Sequence, residues 1–155
     1  MKRLTITWAG TSIIMSALNN DCLQVSHKHL APMTDRELRL KSIQYRKKLL
    51  TYIRMANAGH TGGSLSCVDI VSVLYNRILN VSPETTSDSN RDRYIQSKGH
   101  SVEALYVVLA DRGFFPESDL ESLCRYKSHY VRHPTRKVRG IEQNTGALGH
   151  GLSIS

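Results

Sequence analysis

Three histidines of this chain stand in or beside breaks between apolar segments, each next to a glycine or a proline: Gly59-His60, Gly99-His100 and His133-Pro134. The pattern constrains the fold because each break must do two things at once. Glycine lets the backbone turn through positive φ and approach a neighbour closely. Histidine holds or passes a proton near neutral pH. The stretches around them, Ala58-Gly59-His60-Thr61-Gly62-Gly63, Ser97-Lys98-Gly99-His100 and Thr145-Gly146-Ala147-Leu148-Gly149, are short and ordered along the chain. Together they predict one folded pocket for an anionic, proton-handling cofactor.

The rest of the chain is ordinary for a globular protein. Its 155 residues suit one domain able to bury a core, and 40% are hydrophobic and 22% charged. No apolar run is long enough to span a bilayer. The net charge of +8 allows nucleic acid, a membrane surface or anionic metabolites as partners. Much of the charge falls in one segment, at Arg36, Arg39, Lys41, Arg46, Lys47, Lys48 and Arg54. That segment reads as an amphipathic helix with a solvated basic face. Aromatic residues make up only 6% of the chain and do not interleave with the basic ones, as a base-stacking platform would require. Neither a nucleic-acid nor a membrane partner is expected. Cys22, Cys67 and Cys124 are scattered, with no CxxC pair and no zinc spacing. No metal ligands are expected in this chain, and a reducing cytoplasm fits the cysteines best.

Residues 1 to 33 differ from the rest of the chain. Lys2-Arg3 precedes Leu4 to Leu18, but Thr5, Thr7, Gly10, Thr11 and Ser12 interrupt the apolar stretch, and it ends without an A-x-A site. The expectation is a leader or extension of uncertain structure with no fold of its own, and a patterned domain over 34–155. Within that domain, Thr34 and Glu37 form a capping box. Leu38, Tyr45, Leu49, Tyr52 and Ala56 then keep helical spacing, which predicts a helix over about 35 to 57 stopped by Gly59. Ser66 and Asp69 signal a second start, and Val71, Leu74, Tyr75 and Ile78 predict a helix over about 67 to 79. A polar loop comes next, over 83–92. Arg93 to Gln96 is a short strand, Ser101 to Arg112 a third helix, and Ser118 with Glu121 opens a fourth. Residues 129 to 145 read as irregular, and Leu148 to Ser155 as the first turns of another helix.

Both glycine-rich breaks that lead into helix starts have the geometry of an anion seat, where free amides and the helix dipole point the same way. Singly, each is as well explained as a turn, and His100 as a cap or a structural histidine. Their order carries more. A-G-H-x-G-G is succeeded by Leu74-Tyr75, then Arg91 to His100, Ala104-Leu105-Tyr106, His133-Pro134 and Gly140 to Gly151.

This ordered set resembles the N-terminal, thiamine diphosphate-binding section of transketolase, in particular the form made as a separate N-terminal subunit. The resemblance covers about Thr34 to Ser155. It implies an α/β thiamine diphosphate-binding fold, a doubly wound parallel sheet, of which the helix-rich first part is present. It implies that His60 touches the sugar substrate and helps to move protons there, and that His133 faces the hydroxyls of the donor ketose. It implies that His100 lies at the cofactor phosphates and that the backbone of Gly146, Ala147 and Leu148 contacts the aminopyrimidine ring. The implied cofactors are thiamine diphosphate and a divalent cation, Mg or Ca. The implied partners are phosphosugars and a C-terminal transketolase subunit carrying the pyrimidine-binding domain, in a homo- or hetero-oligomer.

Thr61 and Ser64 stand where many single-chain transketolases have proline, and His150 where many have glutamine; these read as marks of a subtype. The family's G-D-G segment and later asparagine, which bind the cation, have no counterpart in this chain. The expected function is therefore the N-terminal part of an enzyme transferring a two-carbon ketol unit between phosphosugars, incomplete on its own. The alternatives are a non-catalytic truncated remnant or subunit-interaction fragment, and a small basic nucleic-acid module, against which the motif order argues.

Overall fold

The computed structural model describes residues 2–8, 11–17, 33–149 and 153. Its longest element is helix α1, Asp35–Ala56. The capping box predicted at its start is present. The Glu37 amide donates to Thr34 Oγ1 at 3.3 Å, and the Thr34 amide donates back to Glu37 Oε2 at 2.7 Å. Asp35 and Glu37 add negative charge where the helix dipole favours it. Leu38, Tyr45 and Leu49 are the buried residues of this helix. The helix ends slightly earlier than the glycine suggests. Asn57 takes the left-handed conformation at φ 47°, its amide donates to the Arg54 carbonyl, and the Ala58 amide reaches the Ile53 carbonyl. Asparagine tolerates that conformation, so Gly59 is left free to shape the next turn.

The helix expected over about 67 to 79 is broken. Helix α2, Thr61–Leu65, comes before it, helix α3 spans only Val68–Val73, and a π-helical turn, Leu74–Ile78, closes the run. Neither Ser66 nor Asp69 supplies a side-chain cap. Ser66 Oγ instead donates back to the Gly63 carbonyl, while Asp69 accepts from Ser42 and Arg46 of α1. Those bonds take the side chains that the local signal assigns to a cap.

Strand β3, Arg93–Ile95, lies beyond the polar loop. It leads through a 3₁₀ turn, Gly99–Ser101, into helix α4, Val102–Asp111. Every residue from Val102 to Ala110 is buried, so α4 is the central helix of the core rather than an amphipathic one. Helix α1 packs on both α3 and α4. Asp111, at the end of α4, ties α1 to it: Lys41 Nζ donates to it at 2.6 Å and the Tyr45 hydroxyl at 2.7 Å. The predicted fourth helix is a 3₁₀ segment, Glu117–Ser122, entered from Pro116. Residues 129–145 are irregular, as expected. Leu148 and Gly149 form a turn, and the helix expected over 148–155 lies mostly outside the described residues.

The sheet differs from the one expected. Strands β1, Lys2–Trp8, and β2, Thr11–Ala17, form an antiparallel hairpin, and β2 pairs antiparallel with β3 through Ser12–Ile95, Ile13–Tyr94 and Ile14–Arg93. The order is β1-β2-β3. A parallel doubly wound sheet needs further strands running with β3 and joined to it by crossovers. Among the described residues β3 has no parallel neighbour. The interrupted apolar pattern of residues 2–17 gives no sign of these two strands. Cys67 is buried and Cys124 half-buried, while Cys22 lies outside the described residues. Among the described residues, no helix is long and apolar enough to cross a membrane.

Candidate functional site

The three histidines meet. The rings of His100 and His133 lie edge to face with centroids 4.4 Å apart, and those of His60 and His100 do the same at 4.8 Å. His60 and His133 are 6.3 Å apart. Each comes from a different segment. His60 precedes α2, His100 sits in the 3₁₀ turn before α4, and His133 stands in the irregular stretch after the 3₁₀ segment.

Hydrogen bonds bring the segments together. Gln96 Nε2 donates to Ser101 Oγ at 2.9 Å, and Ser101 Oγ donates to the Lys98 carbonyl at 2.8 Å, which fixes the Ser97–His100 turn from beneath. Lys98 Nζ reaches across to Ser66 Oγ at 2.8 Å, joining this turn to the end of α2. Thr145 Oγ1 donates to the Gln96 carbonyl at 2.8 Å and lays the Thr145-Gly146 segment over Gly99. The Tyr106 hydroxyl donates to the Val131 and His133 carbonyls, so α4 also holds the third histidine's backbone.

Of the expected site residues, the structure joins His60, His100, His133 and Gly146. A Cβ on Gly146 would lie 3.4 Å from the His133 ring. Ala147 and Leu148 continue outward as exposed residues, Leu148 at 66% exposure. They follow Gly146 in sequence, but no contact with the cluster joins them to it among the described residues.

Electrostatics favour a neutral His133. Its pKa is lowered from the ordinary 6.5 by burial first, then by the charges that neighbouring His100 and His60 can carry; Glu103 opposes this and Arg132 adds to it. Nδ1 of His60 and Nδ1 of His100 are buried and have no hydrogen-bond partner. Buried polar nitrogens are almost always paired, so two orphans side by side mark a place where a ligand's polar atoms fit. Among the described residues, no group of three or more His, Cys, Asp or Glu side chains is placed to hold a metal ion.

One residue of the site has only a faint signal in the sequence. Glu103 is 2% exposed and stands in the first turn of α4. It accepts from the His60 amide at 3.3 Å and from the Ser64 hydroxyl at 2.8 Å. The signal is a lone carboxylate within the apolar run from Val102 to Ala110. Gly59 accommodates it: at φ +141°, a Cβ there would stand 2.8 Å from Glu103 Oε1.

Three histidines from separate segments thus converge beside glycine turns and the buried helix α4. Residues 40–155 match the family model for the transketolase, thiamine diphosphate binding domain, and the chain belongs to that family. It is 47% identical over 117 residues to an apulose-4-phosphate transketolase subunit of Phocaeicola vulgatus, covering 76% of this chain and 42% of that protein. It is 39% identical over 111 residues to the 6-deoxy-6-sulfo-D-fructose transketolase subunit SqwG of a Clostridium species, covering 71% of this chain and 40% of that one. The transketolase of Leishmania mexicana shares the fold, with a TM-score of 0.69 at 24% identity over 81% of this chain and 18% of that one. The chain thus spans less than half the length of the subunit relatives it matches.

Proposed function

We propose that this chain supplies one wall of the active site of a thiamine diphosphate-dependent transketolase that moves a two-carbon ketol unit between phosphosugars. The observation that carries the reading is the convergence of His60, His100 and His133, with two orphaned Nδ1 atoms, in a chain of this family. His100 would hold the diphosphate, and the backbone of Gly146, Ala147 and Leu148 would meet the aminopyrimidine ring. His60 and His133 would face the sugar. When bound, thiamine diphosphate supplies the electron sink that carbon–carbon chemistry requires. The chain's own residues bind, orient and move protons. His133, held below its ordinary pKa, is neutral at pH 7 and so can accept a proton from a sugar hydroxyl. His60, whose Nδ1 has no partner within the chain, would help to move protons at the sugar.

By the resemblance, a divalent cation, Mg or Ca, would be held by a G-D-G segment, and none occurs among these 155 residues. The further strands of a parallel sheet alongside β3 would come from outside the described residues. Several relatives are named as single subunits of their transketolases. By analogy, the partner here is a C-terminal subunit with the pyrimidine-binding domain.

The test is a chimera. The matching stretch of the Phocaeicola vulgatus protein is replaced by this chain's residues and assembled with that enzyme's partner subunit. Ketol transfer that survives the exchange, and is lost on His133→Ala, supports the reading. A folded, assembled chimera without transfer contradicts it and favours a non-catalytic remnant.

A further inference from the structure

Glu103 is a carboxylate with almost no access to water, in a helix otherwise buried and apolar from Val102 to Ala110. Burying a charge is costly unless bonds and nearby opposite charge offset it. Two donors meet it here, the His60 amide at Oε1 and the Ser64 hydroxyl at Oε2. Its place in the first turn of α4 adds the favourable end of the helix dipole. The His60 amide stands at the start of α2 and Ser64 lies within it. Gly59, with no side chain, leaves the space that Oε1 occupies. The first glycine turn is therefore shaped around this carboxylate.

The three histidine rings lie against one another. The charged groups acting on His133 are His60, His100, Arg132 and Glu103, and only Glu103 among them is acidic. A proton on any one imidazole disfavours a proton on the next. The geometry points to Glu103 as a positioning residue of the site: its buried carboxylate pins the His60 turn to α4 and sets an acidic group to act on His133. The role rests on the transketolase reading for its use in turnover, but not for its existence, which concerns only this chain.

The test is a histidine titration by NMR on the full 155-residue chain. Glu103→Gln keeps an acceptor for the His60 amide and a partner for Ser64, but removes the charge. The His133 midpoint should fall by about half a unit or more, the direction expected when a nearby opposite charge is lost. Ser64→Ala, which keeps the charge and removes one bond, should leave that midpoint in place. A purely structural Glu103 would move neither. If Glu103→Gln does not fold, the pair Glu103→Met with Ser64→Ala removes carboxylate and hydroxyl together and is read in the same way. An unchanged His133 midpoint in a folded variant lacking the carboxylate overturns the proposal while leaving the transfer reading intact. A failed transfer assay in the chimera would leave this titration result standing.

Discussion

The backbone of Gly146 lies where a side chain on Gly99 would have to go. A Cβ built on Gly99 would stand 2.9 Å from the Gly146 nitrogen and 2.9 Å from the Thr145 carbonyl oxygen. No flexible side chain can yield there, because both neighbours are backbone. The glycine turns at Gly99 and Gly146 are thus locked together by a missing methyl group, and His133 is packed against the same Gly146.

Gly99→Ala should therefore push the 145–146 segment away and loosen the histidine cluster. The expected cost is about 1–3 kcal/mol of stability, typical of an overpacked site. Denaturant unfolding measures the loss, and the His133 ring signals should shift with it. An alanine variant of unchanged stability with unmoved His133 signals would show that the contact is not tight.

Asp111 gives an acid-side prediction. Burial works against its charge, but the bonds from Lys41 and Tyr45, with the charges of Lys41 and Lys48, outweigh it and hold the pKa below the ordinary 3.8. A depressed folded pKa means stability that is fully present above the unfolded value and lost as pH falls through the folded one. Asp111→Asn should cost about 2 kcal/mol at neutral pH, as loss of charge-assisted bonds does. It should also flatten the fall in stability below about pH 4. Thermal midpoints of both chains from about pH 7 down to about 2 check this, and parallel curves would contradict it.

Where local and tertiary preferences agree, the fold is legible in the sequence. The Thr34–Glu37 box and the Leu38, Tyr45 and Leu49 stripe can be read because α1 buries one face and caps itself. The meeting of the histidines can be read from the order of the motifs rather than from any one glycine break, each of which alone reads as a turn. The break-up of residues 61–78 is hidden, because Asp69 and Ser66 spend their side chains on Arg46, Ser42 and Gly63 rather than on a cap. Glu103 is hidden for a related reason. Helical periodicity shows an apolar helix over 101–112 and has no means of telling which neighbour will meet one carboxylate in it. The antiparallel pairing of β3 with β2 sets Tyr94 beside Ile13, a match between distant parts of the chain that no local pattern encodes.

His133 gives a prediction near neutrality. Its folded pKa lies below 6.5, so the unfolded chain takes up the proton first as pH falls. Stability is present in full above the ordinary value and declines as pH drops through 6.5 toward the folded value. His133→Asn should remove that part of the decline between about pH 7.5 and about pH 5.5. Thermal unfolding of the two chains across this range measures it, and identical pH profiles would contradict the depressed pKa.

The central claim is that His100 belongs to the wall that receives the cofactor's diphosphate. Calorimetric titration of thiamine diphosphate with Mg²⁺ into the chimeric assembly, with and without His100→Ala, tests it most directly. The expected result is binding by the parent chimera and an affinity at least tenfold weaker in the variant, about 1.4 kcal/mol. Equal affinities in two assemblies that are both folded and both paired with their partner would place the diphosphate elsewhere and contradict the account.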